Sequence, residues 1–235
     1  MIRALAIETS GRIGSVAICA DGKVLAEQSF QHGLQHAARI LPEIDALCRA
    51  QSWQPSQIDE LYVSTGPGSF TGLRIGVTMA KAMAISTGVR LVAVPTLGVL
   101  AANAPPEATN LIIVLDAKRN QIFTARFERM PGQAWTEKEP AHLDDLSSML
   151  SRSGRPVWVL GEGIPWHEKF IDRSDSQIRI VPPTMWQARA SAVAAIGWEL
   201  ARAGQFADPM TLTPVYVRRP EAEEKWHANQ SNRDH

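Results

Sequence analysis

The sequence predicts a two-lobed α/β fold, because apolar strands alternate with helical segments along both halves of the chain. In the first half, a short buried strand leads through a glycine-rich turn into a helix. The second half opens on another apolar strand, residues 111–115, followed by a strand of alternating pattern. Paired prolines in residues 104–107 mark the boundary. The predicted lobes are therefore residues 1–106 and 107–217, and the polar tail 218–235 has little to bury and is expected to be flexible.

The composition predicts a globular protein of the cytoplasm. A chain of 235 residues with 45% hydrophobic and 20% charged residues can bury a sizeable core. Its 24 basic residues balance its 24 acidic ones, so no overall positive field would hold RNA or an acidic membrane surface. Only two cysteines are present, and we find no secretory signal pattern and no apolar run near the roughly 20 residues that a membrane span needs. These features indicate a reducing compartment and no membrane association.

A meander of three strands is predicted at the N-terminus. Strands are expected over residues 3–9, 15–20 and 23–30, with Asp21-Gly22 as a two-residue hairpin turn between the last two. The polar turn at residues 10–14 follows the first strand, as in the opening of actin-like kinase folds, where that turn faces a nucleotide phosphate. Other three-stranded meanders would show the same pattern.

A helix is predicted over residues 34–50 from its apolar period. The residues on that apolar face are Leu34, Ala37, Ala38, Leu41, Ile44 and Cys48. Pro42 lies inside it, and because an interior proline costs about 3 kcal/mol, we expect a kink or a loop up to Leu41. His32 and His36 are four residues apart and could form a metal pair. No third ligand and no H-E-x-x-H pattern accompany them, so solvated or partner-facing histidines are favoured.

The chain is organised around the glycine-rich stretch of residues 64–76, STGPGSFTGLRIG. It follows a strand predicted over residues 58–65 and leads into a helix that Gly88 ends. This arrangement gathers backbone N–H groups and a helix N-terminus at one spot, where they can hold an anion or a close backbone neighbour. The loop matches neither G-x-G-x-x-G nor the P-loop lysine pattern, so it does not by itself indicate nucleotide binding.

Small residues recur at every fourth position of the helix after this loop. Gly72, Gly76, Ala80 and Ala84 therefore share one face. Two explanations remain open from the spacing. The helix packs tightly on its own sheet, or the face is kept flat for a second helix, possibly from another subunit.

The remaining elements follow the same alternation. A long helix is predicted over residues 188–203, with Ala192, Ala195, Ile196 and Leu200 on one side. Residues 130–140 are expected to be a loop. The other predicted elements are strands at 91–94, 121–129, 157–160 and 178–181, helices at 97–103 and 147–150, and an extended piece at 214–217.

Four motifs in order carry a resemblance to a known family. They are ALAIETS at 4–10, GPGSFTGLRIG at 66–76, LDAK at 115–118 and PVYVR at 214–218. With them the chain resembles the TsaB (YeaZ) family, bacterial proteins needed to make threonylcarbamoyladenosine (t6A) on tRNA, over essentially its whole length up to the tail. The resemblance implies the two-lobed actin-like ATPase (ASKHA, ribonuclease H-like) fold. It also implies a non-catalytic subunit that stabilises or activates the catalytic paralogue TsaD, in the modification of tRNAs reading codons that start with adenine.

The resemblance implies partners as well. It implies a heterodimer with TsaD through helices of the N-terminal lobe, and the ATPase TsaE is expected to bind this pair. The chain alone is expected to form a homodimer. Contact with tRNA is expected only indirectly, through the complex. The residues expected at the subunit interface are Leu34, Ala37, Ala38, Leu41, Gly72, Leu73, Gly76, Val77, Ala80 and Ala84.

No catalytic residue, cofactor or metal is expected. The paralogue binds metal through an H-x-x-x-H pair after the loop helix, whereas residues 94–97 here contain no histidine. It seats its nucleotide on a Gly-Gly run, for which residues 161–163 are the nearest remnant, so weak or no ATP binding is expected. The alternative is an active small-molecule kinase that uses Glu8 and Asp116 around a magnesium nucleotide. A zinc peptidase would rest only on His32 and His36.

Overall fold

The structure, a computed structural model, describes residues 1–31 and 36–217, and side chains at all of these except 31 and 36–38. The strands are β1 (Arg3–Glu8), β2 (Ile13–Ala20), β3 (Lys23–Gln31), β4 (Glu60–Ser64), β5 (Arg90–Val94), β6 (Asn110–Ile113), β7 (Leu115–Asp116), β8 (Ile122–Glu128), β9 (Thr136–Asp144), β10 (Val157–Leu160) and β11 (Ile178–Ile180). The α-helices are α1 (His36–Ala50), α2 (Phe70–Thr87), α3 (Thr96–Ala101), α4 (Leu146–Arg152), α5 (Ile164–His167) and α6 (Ala190–Arg202).

The first sheet has the strand order β3-β2-β1-β4-β5. Its first three strands are antiparallel neighbours, and β4 and β5 run parallel to β1. Asp21 and Gly22 join β2 to β3 with φ angles of 46° and 78°. Positive φ at both central residues is the geometry of a type I′ turn, which matches the twist of the two strands. The predicted meander and its hairpin are therefore confirmed.

The second sheet repeats the design of the first. Its order is β11-β10-β6-β8-β7, and β9 pairs with β8. With β7 set aside, the path β9-β8-β6-β10-β11 has the same order and the same parallel and antiparallel pairs as the first sheet. Two such ribonuclease H-like sheets make the actin-like architecture, so the predicted α/β fold with two related lobes is confirmed.

Strand β9 corrects the prediction of a loop at residues 130–140. Among the described strands, Thr136–Asp144 pairs with β8 alone, so it forms an edge of the second sheet. Charged residues and Pro140 are acceptable at an edge, where few side chains are buried and not every N–H needs a partner. Arg126 Nε donates to Glu139 Oε1 at 2.7 Å across the pair. Because its residues are polar, the strand lacks the apolar pattern by which the other strands were predicted.

Helices α1 and α2 pack together against one face of the first sheet. Ile44 and Cys48 of α1 are buried in the same cluster as Val77 and Ala84 of α2. Helix α1 is continuous through Pro42, so the alternative of a loop up to Leu41 is wrong.

In the described part of the chain, no helix has both the length and the apolar character needed to cross a membrane.

Helix α6 packs on the opposite face of the first sheet. Its buried residues are Ala190, Val193, Ala194, Gly197 and Ala201. By contrast, Ala195 is exposed and Ile196 and Leu200 are only half-buried. A Cβ atom built on Gly197 would lie 2.4 Å from Cγ of Tyr62. The helix therefore approaches the sheet so closely that a glycine must face Tyr62, while Ala192, Ile196 and Leu200 of the predicted side pack against the same core partly buried.

The chain after β11 returns to the first lobe, although the predicted lobe boundaries assign this part of the chain to the second lobe. The Ala190 N–H donates to Ser15 Oγ at 2.8 Å, which fixes the start of α6 on β2. Residues 205–217, called the C-terminal strap below, then cross the first lobe, where the Ala207 N–H donates to the Leu91 carbonyl at 2.7 Å. Residues 190–217 thus belong with the first sheet, although chain order suggested the second lobe. The predicted flexible tail, residues 218–235, lies outside the described residues.

Candidate functional site

A cleft of about 270 Å³ opens between the two lobes. The first lobe contributes the turn after β1, as expected for a fold of this class, and the end of the glycine-rich loop. The second lobe contributes the turn after β7 and the segment after β10. The charged and aromatic residues that line the cleft are Arg12, Asp116, Lys118, Phe123, Glu162, Trp166 and Trp186.

The glycine-rich loop rests on the turn that follows β1. The Ser69 N–H donates to the Ser10 carbonyl at 2.7 Å, and Ser69 Oγ accepts from the Gly72 N–H at 3.2 Å, which caps α2. A Cβ atom on Gly68 would lie 2.5 Å from the Ser10 carbonyl oxygen. Anion binding and close packing against a neighbouring backbone were both considered for this loop, and the structure shows the close packing.

The row of small residues on α2 serves the same close approach. A Cβ atom on Gly72 would lie 2.0 Å from the Thr9 carbonyl oxygen, and one on Gly76 would lie 2.2 Å from Thr9 Oγ1. All six α2 residues expected at the subunit interface are buried within the chain: Gly72, Leu73, Gly76, Val77, Ala80 and Ala84. The face is thus covered by the chain's own lobe, which corrects the inference that it is kept flat for another subunit.

The other expected interface residues lie on or before α1. Leu41 is 52% exposed, so it is available to a partner. Ala37 and Ala38 lie within α1, but their side chains are not described, and Leu34 lies outside the described residues. A contact through Leu41, Leu34, Ala37 and Ala38 therefore stays a prediction.

Helix α2 presents a second face that sequence reasoning missed. Its exposed residues include Thr71, Arg74, Thr78, Ala82 and Ile85, which recur at helical spacing. We call them the outer face of α2. Arg74 is the only charged residue among these five. The near absence of charge at these exposed positions could have indicated this face from the sequence.

Glu8 lies at the end of β1 but is closed off from the cleft. Its side chain is fully buried, and Oε1 accepts hydrogen bonds from the N–H and the hydroxyl of Ser10. Burial raises the pKa of the Glu8 carboxyl, and this outweighs the opposing effect of the Ser10 hydrogen bonds. In this arrangement Glu8 cannot touch a magnesium nucleotide, the role that the kinase alternative gives it.

The raised pKa of Glu8 predicts how stability depends on pH. The folded chain holds this proton to higher pH than the unfolded chain does, so stability falls as pH rises above the ordinary value of 4.5 through the raised folded pKa. Glu8→Gln keeps an acceptor for Ser10 but cannot ionise. We expect its melting temperature, relative to that of the unmodified chain, to increase between pH 4.5 and pH 8.

The matched control is Glu137→Gln, at an exposed carboxyl on β9, whose relative melting temperature should stay constant over the same pH series. A constant difference for Glu8→Gln as well would contradict the prediction.

Asp116, the other carboxylate of the kinase alternative, is engaged within the second lobe. It accepts from His167 Nε2 at 3.1 Å and forms an ion pair with Lys118 Nζ at 2.9 Å. Partial burial acts to raise the pKa of Asp116, but hydrogen bonds from Lys118 and His167 outweigh it and hold the pKa below its ordinary value. His167 is buried on α5, a helix of four residues that is too short to show a period in the sequence.

Glu162 reaches across the cleft from the second lobe. Its Oε2 accepts from the Arg12 N–H at 3.3 Å, and the Arg12 guanidinium lies 4.7 Å from the centre of the Trp166 ring. The glycines on either side have a packing role, because a Cβ on Gly161 would lie 2.2 Å from the Val114 carbonyl oxygen. This turn therefore places a carboxylate, which repels anions, at the position where a phosphate clamp was considered.

Metal binding by histidines is not shown in the described region. Across residues 1–31 and 36–217, no three His, Cys, Asp or Glu side chains come together as a metal site would require. His32 lies outside the described residues, and the side chain of His36 is not described. The zinc peptidase reading therefore has no support from the described side chains.

The sequence is similar to a known protein family and to named members of it. The family model described as TsaD, tRNA N6-adenosine threonylcarbamoyltransferase, matches residues 31–226. The tRNA threonylcarbamoyladenosine biosynthesis protein TsaB of Bacillus subtilis is 32% identical over 229 residues, which cover 96% of this chain and 98% of that protein. The protein of the same name from Escherichia coli is 31% identical over 140 residues, covering 59% of this chain and 60% of that one.

The fold was compared with solved structures. YeaZ from Pseudomonas aeruginosa superposes with a TM-score of 0.76 at 22% sequence identity, covering 92% of this chain and all of that one. At this level of identity the likeness concerns the fold alone. It agrees with the two repeated sheets described above.

Proposed function

Because the chain belongs to the TsaB family and takes part in tRNA threonylcarbamoyladenosine biosynthesis, we propose that it does so as a non-catalytic partner subunit. In this proposal it binds and activates the TsaD-like catalytic paralogue, which transfers the threonylcarbamoyl group to tRNAs reading codons that start with adenine. TsaE joins the pair, tRNA is reached through the complex, and the isolated chain forms a homodimer.

The observation that carries the proposal is that the carboxylates around the cleft form hydrogen bonds and ion pairs with other groups of the same chain. Glu8 is buried beneath Ser10, Asp116 is paired with Lys118 and His167, and Glu162 accepts from Arg12. A phosphoryl-transfer enzyme needs carboxylates that are free to hold a magnesium ion against the phosphates. The arrangement therefore favours a structural role over catalysis by this chain.

The outer face of α2 supports the proposed subunit contact. Thr71, Thr78, Ala82 and Ile85 are exposed and uncharged along one side of an 18-residue helix. A surface depleted of charge, with short side chains, allows a second helix to pack against it. Leu41 on the neighbouring helix α1 adds an exposed leucine to the same lobe.

Reconstitution tests the proposed role directly. The catalytic paralogue, TsaE, tRNA and the threonylcarbamoyl donor are combined with and without this chain, and t6A is measured by mass spectrometry of digested tRNA. We expect efficient modification only when the chain is present. Modification or ATP turnover by this chain alone would contradict a non-catalytic role.

The contact through α2 gives a second prediction. Ala82→Arg places a charge and a long side chain in the centre of the outer face, so we expect the Kd for the catalytic paralogue to rise by about tenfold or more. The matched control is Ala195→Arg, the same substitution at an exposed position of α6 on the other side of the sheet. Both Kd values are measured by calorimetry, after melting curves confirm that both variants fold. Equal affinity of the two variants would contradict the placement.

A further inference from the structure

Four exposed side chains form a patch at the start of α2. Phe70 and Arg74 come from α2, and Val215 and Tyr216 come from the C-terminal strap. The three apolar members are 37%, 48% and 36% exposed, in the order Phe70, Val215 and Tyr216. We call these four residues the Arg74 patch.

The strap is held firmly where it contributes to the patch. The Val215 N–H donates to the Thr65 carbonyl at 2.7 Å, and the Phe70 and Tyr216 rings lie 5.1 Å apart. Further back, Lys81 Nζ donates to the Leu212 carbonyl at 2.8 Å. The two halves of the patch, 142 residues apart in the chain, are therefore fixed relative to one another.

The guanidinium of Arg74 is oriented by these aromatic rings. It stacks 3.9 Å from the centre of the Phe70 ring, and Nε donates to Tyr216 Oη at 3.0 Å. The N–H groups of Nη1 and Nη2 are not used in these two contacts, and they can donate a bidentate pair of hydrogen bonds to a carboxylate. Within residues 1–31 and 36–217, Arg74 is in no ion pair, whereas α2's other charged residue, Lys81, is occupied by the strap. A cation already held in one orientation loses little freedom on binding.

We propose that the Arg74 patch binds a carboxylate side chain of the catalytic paralogue, flanked by apolar residues of that subunit. This rests on the proposed function, because Arg74 precedes Thr78 and Ala82 by four and eight residues and so continues the outer face of α2. Stacked arginines and partly exposed aromatic residues are the groups most often found at the energetic centre of protein interfaces. A nucleic acid is a poorer fit, because phosphate backbones are held by several cations, and this patch has one among three apolar side chains.

The patch is tested by measuring the Kd for the purified catalytic paralogue by calorimetry. Arg74→Glu is expected to weaken binding by about 30-fold or more, because it places two carboxylates against one another. Arg74→Lys keeps the charge but loses the fork and should give a smaller loss. The control is Arg173→Glu, an exposed surface arginine of the second lobe, which should bind as the unmodified chain does.

The outcomes separate this inference from the proposed function. If Ala82→Arg weakens the complex and Arg74→Glu does not, the Arg74 patch lies outside the contact and the inference is overturned while the subunit role stands. If neither weakens it, the proposed contact through α2 fails as well.

Three other occupants of the patch would also overturn the inference, each through its own result. A second copy is shown if Arg74→Glu changes only the self-association of the isolated chain. The chain's own tail is shown if Arg74→Glu lowers the melting temperature of the full chain but not of a chain ending at Val217. A changed affinity for tRNA with an unchanged Kd for the paralogue would indicate a phosphate instead.

Discussion

Gly72→Ala is expected to lower the free energy of unfolding by about 3 kcal/mol, although alanine gains about 1 kcal/mol over glycine in helix propensity. The added Cβ would lie 2.0 Å from the carbonyl oxygen of Thr9, a backbone atom at the end of a central strand. Neither the buried strand nor the 18-residue helix can move aside without losing its other packing. Chemical denaturation of the isolated chain measures the loss.

Gly98→Ala is the matched control, since it makes the same change in helix α3, where no atom of the described residues outside the helix's own backbone and the neighbouring residues lies within 4 Å of the added Cβ. It should leave stability unchanged or raise it by up to about 1 kcal/mol. The pair also separates the two explanations of the small residues on α2. If Gly72→Ala leaves the isolated chain stable and weakens only its complex, the row serves a partner after all.

Removing both arginines that pair with Glu60 is expected to cost about 4 kcal/mol, because it leaves a buried carboxylate without a cation. Glu60 is fully buried at the start of β4, and it accepts from Arg90 Nη2 at 2.6 Å and also from Arg202 and Tyr62. These contacts join β4 to β5 and to α6. The variant Arg90→Met with Arg202→Met keeps similar side-chain volume, so the loss reports the charge.

Arg49→Met provides the comparison on the surface. Arg49 and Asp45 form an ion pair one turn apart on α1 with both side chains well exposed. Such pairs contribute about 0.5 kcal/mol or less. Similar losses from the surface variant and from the double variant would show that Glu60 is not stabilised by its arginines.

Most of the first lobe could be predicted from the sequence because its strands are apolar and its turns carry specific chemistry. Asp21-Gly22 could form the required turn, and Gly88 ends α2 with a φ of 75°. Strand β9 could not be predicted this way, because an edge strand needs no apolar alternation. The fully buried residues of α6 could not be predicted from its apolar period either, because the close approach of Gly197 to Tyr62 joins distant parts of the chain.

The candidate site was predicted only in part. The resemblance to actin-like folds implied that the turn after β1 faces a ligand, and the structure shows that turn together with the glycine-rich loop and Asp116 at one cleft. The sequence could not show that Glu8 is buried under the fold and bonded to Ser10, because burial depends on the packing of the whole lobe. It could not show that His167 donates to Asp116 either, because these residues are 51 positions apart in the chain. The row of small residues on α2 left two explanations open, and only the distance to Thr9 decides between them.

The packing of α6 on the first sheet has a consequence for synthesis of the protein. Strands β1 to β5 are made first, but the helix that covers Tyr62 on one of their faces is made last. At about 5 to 20 residues per second, the roughly 100 intervening residues take about 5 to 20 seconds to translate. During that interval the face of the sheet around Tyr62 lacks the helix that covers it, while the second lobe, which is continuous in the chain, can already fold. The first lobe is therefore completed only after the second lobe has been synthesised.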